Sequence, residues 1–197
     1  MKLISRLAIL TVLVSALGLS AQEAAAPLTN PYYPLKQGST WTYTVQGGPV
    51  QVKVAGTEKI KDATAYKLET TAGGKVSATE TVGVTKDGVV RYQVNGVSAA
   101  APILFLKADA KKGDSWTIDT TAGMQTIKGT YKVSEEKIKV NGKDYDTLHV
   151  KGEDLTVGTT KTNVEYWFAK DVGIVKLKFT LGSQDATLEL ENYTAGK

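Results

Sequence analysis

Residues 126–145 read TIKGTYKVSEEKIKVNGKDY, and the period of this stretch decides the fold. Ile127, Tyr131 and Val133 fall on one face, with Thr126, Lys128, Thr130 and Lys132 on the other. Successive strand side chains point to opposite sides of a sheet, so the segment is a strand with one apolar and one wet face. Ile138 and Val140 carry the pattern to Asn141-Gly142, beyond which Tyr145 resumes it. Asn-Gly between alternating segments signals a type I′ hairpin, because both central residues must adopt positive φ.

The same period runs outward in both directions. Trp41, Tyr43 and Val45 alternate with Thr42, Thr44 and Gln46, and Val50, Val52 and Val54 with Gln51 and Lys53. Val175, Leu177 and Phe179 oppose Lys176 and Lys178, and Leu188 and Leu190 oppose Glu189 and Glu191. Thr, abundant on the wet faces, is a good strand former. Asn95-Gly96 is a second hairpin signal, and Asp87-Gly88, Gly73-Gly74, Gly47-Gly48 and Gly182-Ser183 mark further corners. No stretch has a helical period. Ala99–Leu106 (AAAPILFL) is ambiguous, but Pro102 argues against a helix interior, and Ile103–Leu106 reads as a strand covered on both faces. Clean alternation favours antiparallel sheet with one side solvated. The expected fold is all-β: a single antiparallel curled sheet, half-barrel or barrel, of about ten strands.

The sequence also reads as two similar meander halves, at 33–106 and 107–193. Lys36-Gln37-Gly38-Ser39-Thr40-Trp41 matches Lys112-Gly113-Asp114-Ser115-Trp116, each placing Trp three residues after Gly at a strand start. Glu58-Lys59-Ile60-Lys61 matches Glu136-Lys137-Ile138-Lys139, and Lys86-Asp87-Gly88-Val89-Val90 matches Lys170-Asp171-Val172-Gly173-Ile174-Val175. The order is kept while the spacing widens slowly, as small loop insertions would produce.

Composition narrows the function. The chain has 197 residues, no Cys and one His. That excludes a disulfide framework, a thiolate metal site, a Cys nucleophile and an N-terminal lipidated Cys, and leaves His149 as the only imidazole for a triad. Lys2 and Arg6, then the 13 apolar-rich residues Leu7–Leu19, then Ser20 and Ala21, have the order of a secretory signal peptide spanning 1–21. The apolar run is shorter than the ~20 residues a bilayer span needs, so cleavage should leave no stable membrane anchor. Residues 22–30 read as a flexible leader before a single β domain at 31–197. Without 1–21 the chain carries 22 basic and 20 acidic side chains, a net charge of +2, and Arg91 is then its only Arg. So weak a charge with so little Arg is not a nucleic-acid footprint.

Tyr33-Pro34-Leu35-Lys36-Gln37-Gly38-Ser39-Thr40-Trp41-Thr42-Tyr43 and Tyr166-Trp167-Phe168-Ala169-Lys170-Asp171-Val172-Gly173-Ile174-Val175-Lys176 bracket most of the domain. They resemble the opening and closing signatures of a broad, mostly uncharacterised class of secreted bacterial β-domains. The resemblance implies a curved sheet or half-barrel akin to periplasmic lipoprotein-carrier folds, and carries no catalytic residues.

Catalytic constellations are sparse. His149, between Leu148 and Val150, falls on the polar face, where a surface His is the expectation and a general base the alternative. Glu135-Glu136 and Glu153-Asp154 are adjacent strand residues pointing to opposite faces, unsuited to an acid/base dyad. Asp144 and Asp146 share a face but supply too few oxygens for Ca²⁺. The expectation is a non-enzyme with no cofactor and no metal, whose partner is a lipid-like ligand or an envelope protein. The aromatics are the better lead. Trp41, Tyr43, Trp116, Tyr166 and Phe168 either plug a barrel end or line an apolar pocket. Trp167 alternates with Tyr166 and Phe168, so it points outward, toward a partner surface or an overlying loop.

Overall fold

The computed structural model describes residues 28–60, 63–182 and 184–197. The signal peptide expected at 1–21, and most of the 22–30 leader, lie outside these residues. No helix among the described residues is long and apolar enough to cross a membrane.

Twelve strands occur among the described residues. The first six are β1 (Thr40–Val45), β2 (Gly48–Ile60), β3 (Ala63–Ala72), β4 (Lys75–Thr85), β5 (Gly88–Val94) and β6 (Val97–Lys107). The second six are β7 (Ser115–Ala122), β8 (Gln125–Val140), β9 (Lys143–Val157), β10 (Thr160–Ala169), β11 (Gly173–Leu181) and β12 (Gln184–Thr194). Each pairs antiparallel with its sequence neighbours, and β12 returns to pair with β1, so the sheet closes into a barrel. The all-β antiparallel expectation holds, with full closure and twelve strands in place of about ten. The extra strands come from segments with weak apolar contrast. β3 places Thr on both faces (Thr70 and Thr71), and bulges at Val54/Gly56 and Thr70/Thr71 shift the alternation.

The hairpin signals are used as read. Asn95 and Gly96 have φ of 48° and 80°, and Asn141 and Gly142 have 47° and 82°, the positive pair a type I′ turn requires. The ambiguous run Ala99–Leu106 lies wholly within β6.

Because each strand runs antiparallel to its neighbours, the barrel has two distinct ends. The near end carries the last residues of β2, β4, β6, β8 and β10 together with residues 30–39 and 195–197; the far end carries the last residues of β1, β3, β5, β7, β9 and β11. The ladder is uneven. The pairing of β8 with β9 extends from Ile127↔Val157 to Val140↔Lys143, whereas β6 and β7 share the single pair Ala99↔Ala122. Side chains bridge that seam. Trp116 Nε1 donates to the Leu104 carbonyl at 2.8 Å, and Thr120 Oγ1 accepts from Ala101 N at 3.0 Å and donates to the Ala101 carbonyl at 3.1 Å.

Candidate functional site

The near end is shut by residues outside the ladders. Asn30 Oδ1 accepts from the Tyr32 N–H at 2.9 Å, and the Asp171 N–H donates to the Pro31 carbonyl at 2.7 Å, which fixes the segment that inserts Tyr33 and Leu35 into the core. The Tyr33 ring stacks on Trp41 at 5.9 Å and meets Phe105 and Phe168 edge-on at 5.8 and 6.2 Å. Trp41 stacks in turn on Tyr193 at 5.2 Å and donates from Nε1 to the Val172 carbonyl at 2.6 Å. Tyr43 Oη donates to the Ile174 carbonyl at 3.0 Å. Gly173, at φ +101°, leaves room that a Cβ would take 3.1 Å from Trp41 Nε1. The opening and closing signatures thus meet each other and form the plug.

Inward of the plug lies a small cavity of about 130 Å³ whose lining includes Tyr33, Tyr43, Leu68, Glu80, Arg91 and Tyr166. Arg91 Nε donates to Glu80 Oε2 at 2.7 Å, and its guanidinium lies 5.0 Å above the centre of the Phe105 ring. Burial works against the guanidinium charge. The Glu80 carboxylate and the Tyr166 and Tyr131 phenols outweigh it and hold the Arg91 pKa above its usual value. Burial, chiefly, pushes the phenols of Tyr33, Tyr43 and Tyr131 well above the ordinary tyrosine range.

Arg91 also lines a second cavity, of about 670 Å³, toward the far end. Arg91 and Ile103 form its inner part; Val94, Val97, Ala99, Met124, Ile127 and Val157 are among its walls. Directly paired residues share a sheet face. Val82 pairs with Arg91, Glu80 with Val94, and Val94 with Val97, so Val94 and Val97 stand on the inner face with the ion pair. Phe179 shares that face with Leu177 of the small cavity by the two-residue period. Val94, Val97 and Phe179 are nevertheless exposed, and Met124 at the β7–β8 tip is fully so. Inner apolar wall that meets solvent means an open mouth. Two further recesses, of about 320 and 660 Å³, are lined mostly by polar side chains such as Glu135, Lys137, Asp185 and Thr187.

No family model matches this chain, and no curated relative does. Two solved structures are similar to it. One is a putative lipoprotein from Parabacteroides distasonis, at 11% identity and a TM-score of 0.47, covering 84% of this chain and 99% of that one. The other is a putative exported protein with a YmcC-like fold from Bacteroides fragilis, at 14% identity and a TM-score of 0.46, covering 83% of this chain and 98% of that one.

The aromatics singled out from sequence separate into three places. Trp41 and Tyr43 serve the plug and touch the small cavity; Tyr166 and Phe168 join Phe105 in the interior; Trp116 stacks on Tyr131 at 5.4 Å and closes the β6–β7 seam. Trp167 does point outward, but it is only 5% exposed, which corrects its reading as a partner surface. Among the described residues its cover is made of strand side chains: His149 stacks on it at 4.3 Å, Lys176 and Lys178 flank the ring, and Glu136 accepts its Nε1–H at 2.7 Å. His149 is likewise half-buried rather than a free surface residue. Its Nε2 lies 2.9 Å from Glu165 Oε2 and its Nδ1 3.3 Å from Ser134 Oγ. This Ser–His–Glu order resembles a hydrolase relay, but it lies within the β8–β9–β10 ladder, roofed by Trp167. Glu153 pairs with Lys132, Asp144 with Lys139, and Asp146 with Lys137.

Sequence reasoning missed Arg91 and Glu80 as site residues. The available signal was that Arg91 is the chain's only Arg beyond Arg6, set in a strand otherwise free of charge (Gly88–Val94).

Proposed function

We propose that this protein is an exported, non-catalytic binding domain that holds an apolar ligand or client in the open mouth of its barrel. One observation carries the reading: a cavity of about 670 Å³ with largely apolar walls stands at the end opposite the aromatic plug. That volume lies within the ~300–1,000 Å³ range of small-molecule sites. Twelve strands enclose more space than eight, which side chains alone can fill; here the plug fills one end only. Export is supported by the charged, apolar, small-residue order of 1–21. The non-catalytic part rests on where the reactive groups lie: His149, Glu136 and Glu165 are tied to one another and to Trp167 on the outer wall, away from the mouth.

Native mass spectrometry after gentle purification should reveal a co-purifying apolar molecule, and a neutral apolar dye should bind the emptied protein at one site. Ala99→Trp, which fills the mouth, should abolish dye binding while the barrel stays folded. Dye binding unaffected by that change, or no binding by either form, overturns the reading. The second reading, a docking module of the envelope, draws on the exposure of Val76, Val94, Val97, Met124 and Phe179 at one end. It predicts a protein partner lost on Met124→Ser, with no small molecule bound.

A further inference from the structure

We propose that Arg91 anchors the head of the ligand, and that the ligand is a single-chain amphiphile whose carboxylate meets the Arg91 terminal amino groups while its alkyl chain lies along the mouth. The inference rests on the binding reading above and names its ligand class.

Among the described residues, Arg91 is the one side chain lining both the mouth cavity and the inner cavity. It stands three residues in from the end of β5, between an apolar compartment on one side and a phenol-rich one on the other. Its Nε is committed to Glu80, yet among the described residues its two terminal nitrogens make no hydrogen bond. No tightly packed side-chain nitrogen or oxygen among the described residues lacks a partner, so those nitrogens border open cavity space rather than being packed against protein. The hydroxyls of Tyr33, Tyr131 and Tyr166, whose rings are buried, likewise have no hydrogen-bond partner among the described residues. The interior therefore presents free donors: one guanidinium edge and three phenols.

A site of free donors selects an acceptor. The two terminal amino groups of an arginine lie in one plane and match the two oxygens of a carboxylate, each taking one N–H···O bond. An ester carbonyl offers the fork a single strong acceptor. Glu80 offsets the Arg91 charge and opposes any added anion, which favours a singly charged head over a phosphate. The apolar walls, from Ile103 and Ala99 out to Val97 and Val94, leave one route for the rest of the ligand, toward solvent at the rim.

Titration calorimetry on the full domain with decanoic acid and with methyl decanoate tests this. The wild-type protein should bind the acid at least about tenfold more tightly than the ester, as expected for a charge-assisted bond in a shielded site. Arg91→Gln should abolish that preference. Because it also strands Glu80, the double variant Arg91→Gln/Glu80→Gln, checked by near-ultraviolet circular dichroism, repeats the measurement with a neutral pair. Glu80→Gln alone, which keeps an acceptor for Arg91 Nε and removes the opposing charge, should tighten the acid and leave the ester unchanged. Equal binding of acid and ester by wild type, or an acid preference that survives in the double variant, overturns the anchor while leaving the apolar mouth intact. Binding of neither compound removes both.

Discussion

The two ends of the barrel are cut from the same alternating strands, yet one is sealed and the other open. At the near end the turns are charged (Lys86-Asp87, Lys111-Lys112, Lys170-Asp171) and the interior is filled by Tyr33, Leu35, Trp41 and Phe168. At the far end the tips are short and mostly uncharged (Gly47-Gly48, Gly73-Gly74, Asn95-Gly96, Gly123-Met124), and the inward valines meet water. The difference comes from the large strand rings Trp41 and Phe168 together with residues outside the ladders: the 30–39 segment, the β10–β11 turn and Gly196, whose N–H donates to Ser39 Oγ at 2.9 Å. A wide barrel is thus closed by what its ends carry, and an end that carries nothing of the kind stays open.

The contrast can be broken most severely at the plug. Trp41→Ala should destabilise by about 3–5 kcal/mol, since it removes a fully buried ring, its stacks on Tyr33 and Tyr193 and its bond to Val172. A denaturant midpoint near wild type would show that the near end does not hold the fold. Alkaline titration sharpens the same point. The buried phenols of Tyr33, Tyr43 and Tyr131 ionise at higher pH folded than unfolded, so their contribution is intact below the unfolded value near ~10 and is lost as pH rises above it. The loss is about 1.4 kcal/mol per pH unit for each phenol. The phenolate absorbance of these three should accordingly appear in step with unfolding; their ionisation in a still-folded barrel would contradict their burial. At the seam, Thr120→Val removes both bonds to Ala101 and should cost about 1–2 kcal/mol, read from the urea midpoint. The smallest effect belongs to the mouth. Met124→Ser should change stability by no more than about 0.5 kcal/mol, because the side chain is fully exposed, and should weaken dye binding. A large stability loss there would mean the far end is packed after all.

Much of the architecture was legible because a two-residue period has only one structural meaning, and because Asn-Gly turns declare themselves through positive φ. The crowding of bulky rings in the two signatures was legible as well, but not whether they plug an end or line a pocket, because that depends on which strands they meet. Closure was not, because it depends on Trp41 meeting Tyr193 and Thr40 meeting Thr194, pairs separated by almost the whole chain. The cover over Trp167 was hidden for the same reason: Trp167 looks outward on β10, and only the register with β9 and β11 brings His149 and Lys176 beside it. The Arg91–Glu80 pair escaped because bulges at Thr81/Val82 and Arg91/Gln93 break the alternation that would have marked both as inward.

The β6–β7 junction gives this wall one compliant line. Elsewhere each strand is stitched to its neighbours by a run of backbone bonds; here Trp116 and Thr120 act as two clasps around a single bridge. Clasps made of side chains can swing aside without unravelling either strand, so this edge can breathe while the rest of the cylinder keeps its shape, and amide hydrogens along it should be the first in the sheet to trade places with solvent deuterium.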